Sequence, residues 1–275
     1  MAGVDLLFGP MLIGVLLNMM LYGAVVTQMC AYYQRFADDP AWIRYFILYL
    51  FIVGFGNVVV ECGIIFEPLI IRYGTLDAFT ISPKLLPGDS ILISIVSAPI
   101  QIFAAWRIRV ITRSFILPGL ITLISLGSFA SGINMSVKVF LNPEYREFDS
   151  FITAATVWLA SSAVCDVVIA IGMTHALYTR KTGFSLVDGQ INRIIRLTLE
   201  TGALTAITAL VDVTFFLVFP RTSMNFIVDF PLSSLYTCSI LAMLNSRDRR
   251  KAMDVEEGRT AYNSVKFQSP LHSSN

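Results

Sequence analysis

The sequence predicts an all-α fold, a polytopic bundle of seven transmembrane helices, and three observations predict it. Of its 275 residues, 55% are hydrophobic and 14% charged, where a soluble domain carries about 25% charged residues. Seven mostly apolar runs fill the chain, each close to or above the ~20 residues that a helix needs to cross the hydrocarbon core, and most charges fall between them. The runs do not alternate polar with apolar as the strands of a membrane barrel do. In lipid the backbone must satisfy its own hydrogen bonds, so such runs become helices. The mean hydropathy of +0.69 agrees.

The expected helices cover residues 8–32, 42–66, 90–111, 116–140, 151–177, 194–219 and 227–244. Pro10 suits the first turn of the first helix, where a missing N–H costs nothing. Pro40 marks the loop before the second. Tyr32, Tyr33, Trp42, Tyr45 and Tyr178 fall near span ends, where amphipathic rings prefer the interface. The gap at 67–89 is long enough for a lid or a short re-entrant piece. The gap at 178–193 reads as a basic loop. Residues 1–245 thus form the transmembrane domain, and 246–275 form a polar tail too poor in apolar residues to fold alone.

Orientation follows from lysine and arginine. With the N-terminus outside, the cytoplasmic gaps and tail hold fifteen basic residues and the outer side five. That bias predicts an N-out, C-in, multi-pass protein in contact with the lipid bilayer. Arg247, Arg249, Arg250 and Lys251 follow the last span. They read as a stop-transfer signal and, alternatively, as a contact for anionic lipid, worth ~1 kcal/mol per basic residue. The net charge of +1 suggests no nucleic-acid partner. The first run has no basic n-region before it, so a cleaved signal peptide is not expected. Cys30, Cys62, Cys165 and Cys238 all lie in apolar runs, where thiols serve as small apolar packers rather than loop staples.

Several chemistries are not expected. The last span has no lysine for a retinal Schiff base. Only His175 and His272 are present, so a histidine-rich three-ligand zinc site is not expected. There is no glycine-rich phosphate loop and no GxSxG elbow. The expectation is no enzyme activity, no cofactor and no metal.

Ionisable groups inside a span cost ~2.5–3.5 kcal/mol on insertion scales and by default mark function. Glu61, Asp166, Glu200 and Asp212 lie within spans, and Asp229 lies near the start of the last. On the predicted topology Glu61, Asp212 and Asp229 fall in the outer half and, if their helices adjoin, could line one ligand or cation site. Alternatively each acid is separately hydrogen-bonded to Ser, Thr or Asn. Asp166 is the deepest acid and is expected to be protonated or hydrogen-bonded. On a helical wheel of ~100° per residue, Thr201, Thr205, Thr208 and Asp212 fall on one stripe, either a cavity lining or helix-packing glue. Arg196 and Glu200 are four apart and can pair. With Arg193 they form either an inner latch, closing on Asp166 or Arg107, or a static neutralised pair. Asn18, Asn57 and Asn134 add polar groups to three spans. Gly127, Ser128, Ser131 and Gly132 predict close helix contact.

Five blocks also carry a family likeness: GPMLIGVLLNMMLYGAVVTQ (9–28), FAAWRIRVITRS (103–114), SSAVCDVVIAIGMTHAL (161–177), INRIIRLTLETGALTA (191–206) and LYTCSILAMLNSR (235–247). In this order they resemble a large family of seven-transmembrane integral membrane proteins of mushroom-forming fungi, the basidiomycetes, known only as a domain of unknown function. The resemblance implies the seven-helix topology and a basidiomycete source, and no activity. Three functions are therefore expected in order: a receptor-like or sensory protein with a ligand near Glu61, Asp212 and Asp229; a transporter or channel passing a cation or proton along Asp166, Glu200 and Asp212; and a non-catalytic membrane scaffold.

Overall fold

The computed structural model describes residues 4–75, 77–144, 152–179, 185–219 and 222–246. They are helical almost throughout, with no strand among the described residues and one isolated bridge between Ile81 and Glu144. The helices are α1 (Val4–Arg35), α2 (Ala41–Phe66), α3 (Asp77–Thr80), α4 (Leu86–Thr112), α5 (Ile116–Leu141), α6 (Ile152–Tyr178), α7 (Ser185–Val218), α8 (Phe226–Asp229) and α9 (Leu232–Asn245). A π-helical turn, Glu67–Ile71, prolongs α2. Seven of these segments are long and apolar enough to cross a membrane. The chain is consistent with a multi-pass membrane protein in lipid contact, and its outward faces carry Met20, Leu123, Phe140 and Ile171.

The helices close into a ring: α1 packs against both α2 and α9, and α6 packs along α7. α4 takes the central place, touching α2, α5, α6 and α9. Its interior position explains its serines and glutamine, since Ser90, Ser94, Ser97 and Gln101 are all buried. The contact of α5 with α4 and α6 uses small residues. A Cβ on Gly132 would meet the Ser94 hydroxyl and the Trp158 ring, and Ser128 donates to the Trp158 carbonyl. Gly127 has open space around it and Ser131 is only half-buried, so only two of the four small residues expected at this contact make it.

Several boundaries differ from expectation. α1 begins at Val4, so Pro10 lies in the helix interior rather than its first turn. The Leu6 carbonyl, which Pro10 cannot serve, accepts the Ser223 backbone N–H instead. Pro99 repeats the device within α4: the freed Ile95 carbonyl accepts the Tyr49 hydroxyl of α2 at 2.9 Å. α7 extends back to Ser185, so most of the expected basic loop is helix. The seventh span is broken at Phe230–Pro231 into α8 and α9. α8 lies so close to α1 that a Cβ on Gly14 would overlap the Phe226 carbonyl oxygen. Only glycine allows that approach. Cys30 is exposed rather than packed in the interior. The cluster Arg247, Arg249, Arg250 and Lys251 lies outside the described residues.

Candidate functional site

Buried polar residues gather in two places. The first lies toward the end of the bundle where α1 and α4 begin and α2 and α7 end. Glu61 is five residues from the end of α2, Asp89 is in the first turn of α4, Asp212 is six from the end of α7, and Asp229 closes α8. Glu61 is within Coulombic range of Asp89 and Asp229, and Asp212 of Asp229 and Asp89. The three acids expected to share a site are thus brought together, with Asp89 as a fourth. All four are buried, Glu61 and Asp212 completely.

Their hydrogen bonding is uneven. Asn18 of α1 donates to Glu61 at 2.7 Å, Asn57 donates to the other Glu61 oxygen, and Ser234 of α9 donates to Asn18. In contrast, neither oxygen of Asp212 has a partner, and one oxygen each of Asp89 and Asp229 has none. The Asn57 carbonyl oxygen and the Ser233 hydroxyl are likewise buried without partners. The walls are apolar: Met11, Val15, Ile64, Leu86 and Phe230 form one buried cluster here. Arg72 does not compensate the four acids, because it pairs with Glu67 at 2.6 Å, whose carboxylate also accepts the Lys84 backbone N–H. Among the described residues, no three acid, cysteine or histidine side chains converge tightly enough to hold a metal ion.

The second place is centred on Asp166, midway along α6. Tyr236 of α9 donates its hydroxyl to Asp166 Oδ2 at 2.7 Å, and Gln101 of α4 donates to Oδ1 at 3.0 Å. Ser162 joins both partners, at 3.3 Å from Gln101 Nε2 and 3.1 Å from the Tyr236 hydroxyl. Thr205 of α7 lines the same cavity, with its hydroxyl donating to the Gly202 carbonyl at 3.1 Å. Asp166 of α6 is thus hydrogen-bonded, as expected, from α4 and α9. Beside it lies a cavity of about 80 Å³, lined mostly by apolar side chains such as Ala104, Met173 and Ile240.

The threonine stripe of α7 connects the two places. Thr205, Thr208 and Asp212 are buried on one face, and Thr201 is half-buried at the cavity wall. At 1.5 Å per residue, Thr205 and Asp212 are about 10 Å apart along the helix. Of the two readings of Arg196 and Glu200, latch or static pair, the structure shows the pair: they meet at 2.7 Å with side chains 80% and 56% exposed, and neither lines the cavity beside Asp166. The Glu200 carboxylate holds the Arg196 guanidinium above its ordinary pKa, so Arg196 stays charged. Arg107 instead donates to the Met243 sulfur. The Arg193 side chain lies outside the described residues.

Three participants escape a reading of the sequence alone. Asp89 falls in an expected loop because Pro87 and Gly88 precede it, yet proline is at home in a first helical turn. Gln101 and Tyr236 carry no charge, so the search for intramembrane acids passes over them. The DFPLSSLY stretch (229–236) contains four of the site residues, Asp229, Ser233, Ser234 and Tyr236.

Comparison with known proteins adds a partial likeness. No curated protein and no solved structure gives a significant match. Residues 162–249 match a family of unknown function, DUF6534. That stretch spans Asp166, Thr205, Asp212, Asp229 and Tyr236, and supports the presence of a domain of unknown function in this membrane-type helical protein.

Proposed function

We propose that this protein moves or stores protons within the membrane, with the Glu61, Asp89, Asp212 and Asp229 cluster as one station and Asp166 as the other. The observation that supports the reading is the set of four buried carboxyl groups without a basic partner among the described residues. Such a group is neutralised by protons or by a cation. The lack of a convergent three-ligand set among the described residues favours the proton. The buried Thr208 and Thr205 hydroxyls lie between Asp212 and Asp166, each donating to a carbonyl of its own helix, and a hydroxyl that rotates from such a bond can both donate and accept in a relay. With the N-terminus outside, the four-acid station faces the outer side and Asp166 lies at mid-depth.

The test is proton flux. The full chain is reconstituted into liposomes holding a pH-sensitive dye, and a potassium diffusion potential is applied. Protons are expected to enter at a rate that Asp212→Asn and Glu61→Gln each reduce at least about tenfold. Flux equal to that of empty liposomes, or flux that both variants leave unchanged, sinks the proposal. A receptor-like or sensory reading is favoured by one observation, the apolar-walled cavity beside Asp166. If flux is absent while a ligand in that cavity changes the conformation of the bundle, the sensory reading replaces the carrier. If neither occurs, a scaffold role is left. In the same reconstitution, anionic lipid is expected to contact Arg247, Arg249, Arg250 and Lys251.

A further inference from the structure

We propose that the cavity beside Asp166 is a binding site for a small amphipathic amine, whose ammonium group meets the Asp166 carboxylate and whose apolar body lies against Ala104, Met173 and Ile240. This goes beyond the proton reading and does not depend on it.

The argument begins with size and lining. The cavity measures about 80 Å³, several times the ~10–15 Å³ that one water requires. Water needs two to four polar partners where it is held, and most of this wall offers none. Ile100, Ala104, Ile169, Met173 and Ile240 are hydrocarbon or thioether surfaces. An apolar group fills such a space better than water does.

The polar end of the cavity is one-sided. Tyr236 and Gln101 both donate to Asp166, one to each oxygen. Ser162 braces both donors. These neutral groups fix the carboxylate in place without cancelling its charge. A carboxylate has about four lone-pair sites, so acceptor capacity is left after these bonds. Among the described residues no lysine or arginine lines the cavity, and Asp166 makes no salt bridge. The missing complement is a cationic donor, and a primary ammonium supplies three N–H groups and one charge. The site is built on helices α4, α6, α7 and α9, and rigid elements of this kind hold a binding geometry well.

The experiment uses the full chain in lipid nanodiscs, with cyclohexylammonium and n-hexylammonium as probes and cyclohexanol and n-hexanol as uncharged controls of similar shape. Binding is read by the shift in Tm and by saturation-transfer NMR. At least one ammonium probe is expected to raise Tm saturably, and its alcohol counterpart to bind about ten- to a hundredfold more weakly. Asp166→Asn should weaken the ammonium probe to a similar degree. Ala104→Leu, which fills the cavity and leaves the carboxylate alone, should abolish binding. Asp38→Asn, on an exposed loop, should change nothing. The proposal is overturned if no ammonium probe binds, if the alcohols bind as tightly, or if Ala104→Leu retains full affinity. Should Asp166→Asn fail to fold, Ala104→Leu and the alcohol comparison decide. Proton flux and amine binding are measured on the same preparations, and either can fail without the other.

Discussion

The two groups of buried acids differ in what surrounds their oxygens. Asp166 is a single carboxylate with a hydroxyl on one oxygen, an amide on the other and a cavity beside it. The cluster at the other station has four carboxyls, of which only Glu61 has both oxygens hydrogen-bonded. On the two proposals above, the satisfied acid beside empty space receives a molecule, and the crowded acids with idle oxygens exchange a proton. The contrast lies in how many neighbours donate to each carboxyl group.

Substitutions can break or sharpen this contrast. The largest effect on stability is expected from Glu61→Leu, which strands Asn18 and Asn57 in an apolar interior. A loss of about 2–3 kcal/mol is expected, read as a lower midpoint of denaturant-induced unfolding in nanodiscs. If Glu61→Leu is neutral, the Glu61 network is not formed in lipid. Next comes Tyr236→Phe, which removes one hydroxyl shared by Asp166 and Ser162. Interhelical hydrogen bonds in membranes average ~0.6 kcal/mol and reach ~1.7. A loss within that range is expected, with amine affinity reduced as Asp166 loses its orientation. Asp212→Asn should alter stability least among the buried changes, by less than about 1 kcal/mol, because no hydrogen bond to the carboxylate is lost. It should nonetheless suppress proton flux. A large destabilisation by Asp212→Asn would show that the acid is structural and erase the contrast. Smallest of all, Arg196→Ala should leave the unfolding midpoint unchanged, since exposed pairs contribute little.

Much of this architecture is readable from the chain. Seven runs of apolar residues dictate seven helices because no other structure satisfies a backbone in lipid. Thr205, Thr208 and Asp212 share a buried face because the helical period puts them there. The convergence of Glu61, Asp212 and Asp229 was one of two open alternatives in the sequence, since pattern alone does not say which helices adjoin. Three things were less legible. The pairing of Arg196 with Glu200 follows from spacing, but its exposure depends on which face α7 turns outward, and spacing alone does not say whether the threonine stripe or the Arg196–Glu200 face meets the neighbouring helices. Asp89 was concealed by a Pro–Gly pair that reads as a loop. The cavity beside Asp166 arises from the meeting of four helices, and no local pattern encodes an empty space.

The two prolines in the interior of long helices have a consequence for how the bundle is put together. Pro99 leaves the Ile95 carbonyl without an intrahelical donor, and Tyr49 of α2 supplies one. Pro10 leaves the Leu6 carbonyl open, and the Ser223 backbone N–H, just ahead of α8, takes it. Each proline transfers a bond from inside one helix to a neighbour. Helices in lipid slide past one another easily where contacts are only greasy, because one apolar register resembles the next. A lone carbonyl with a single matching donor acts as a notch. It accepts α2 against α4, and the segment before α8 against α1, in one alignment and penalises a shift of a single turn. Residues usually counted as helix breakers thereby serve as alignment marks between the helices that carry Glu61, Asp89 and Asp229.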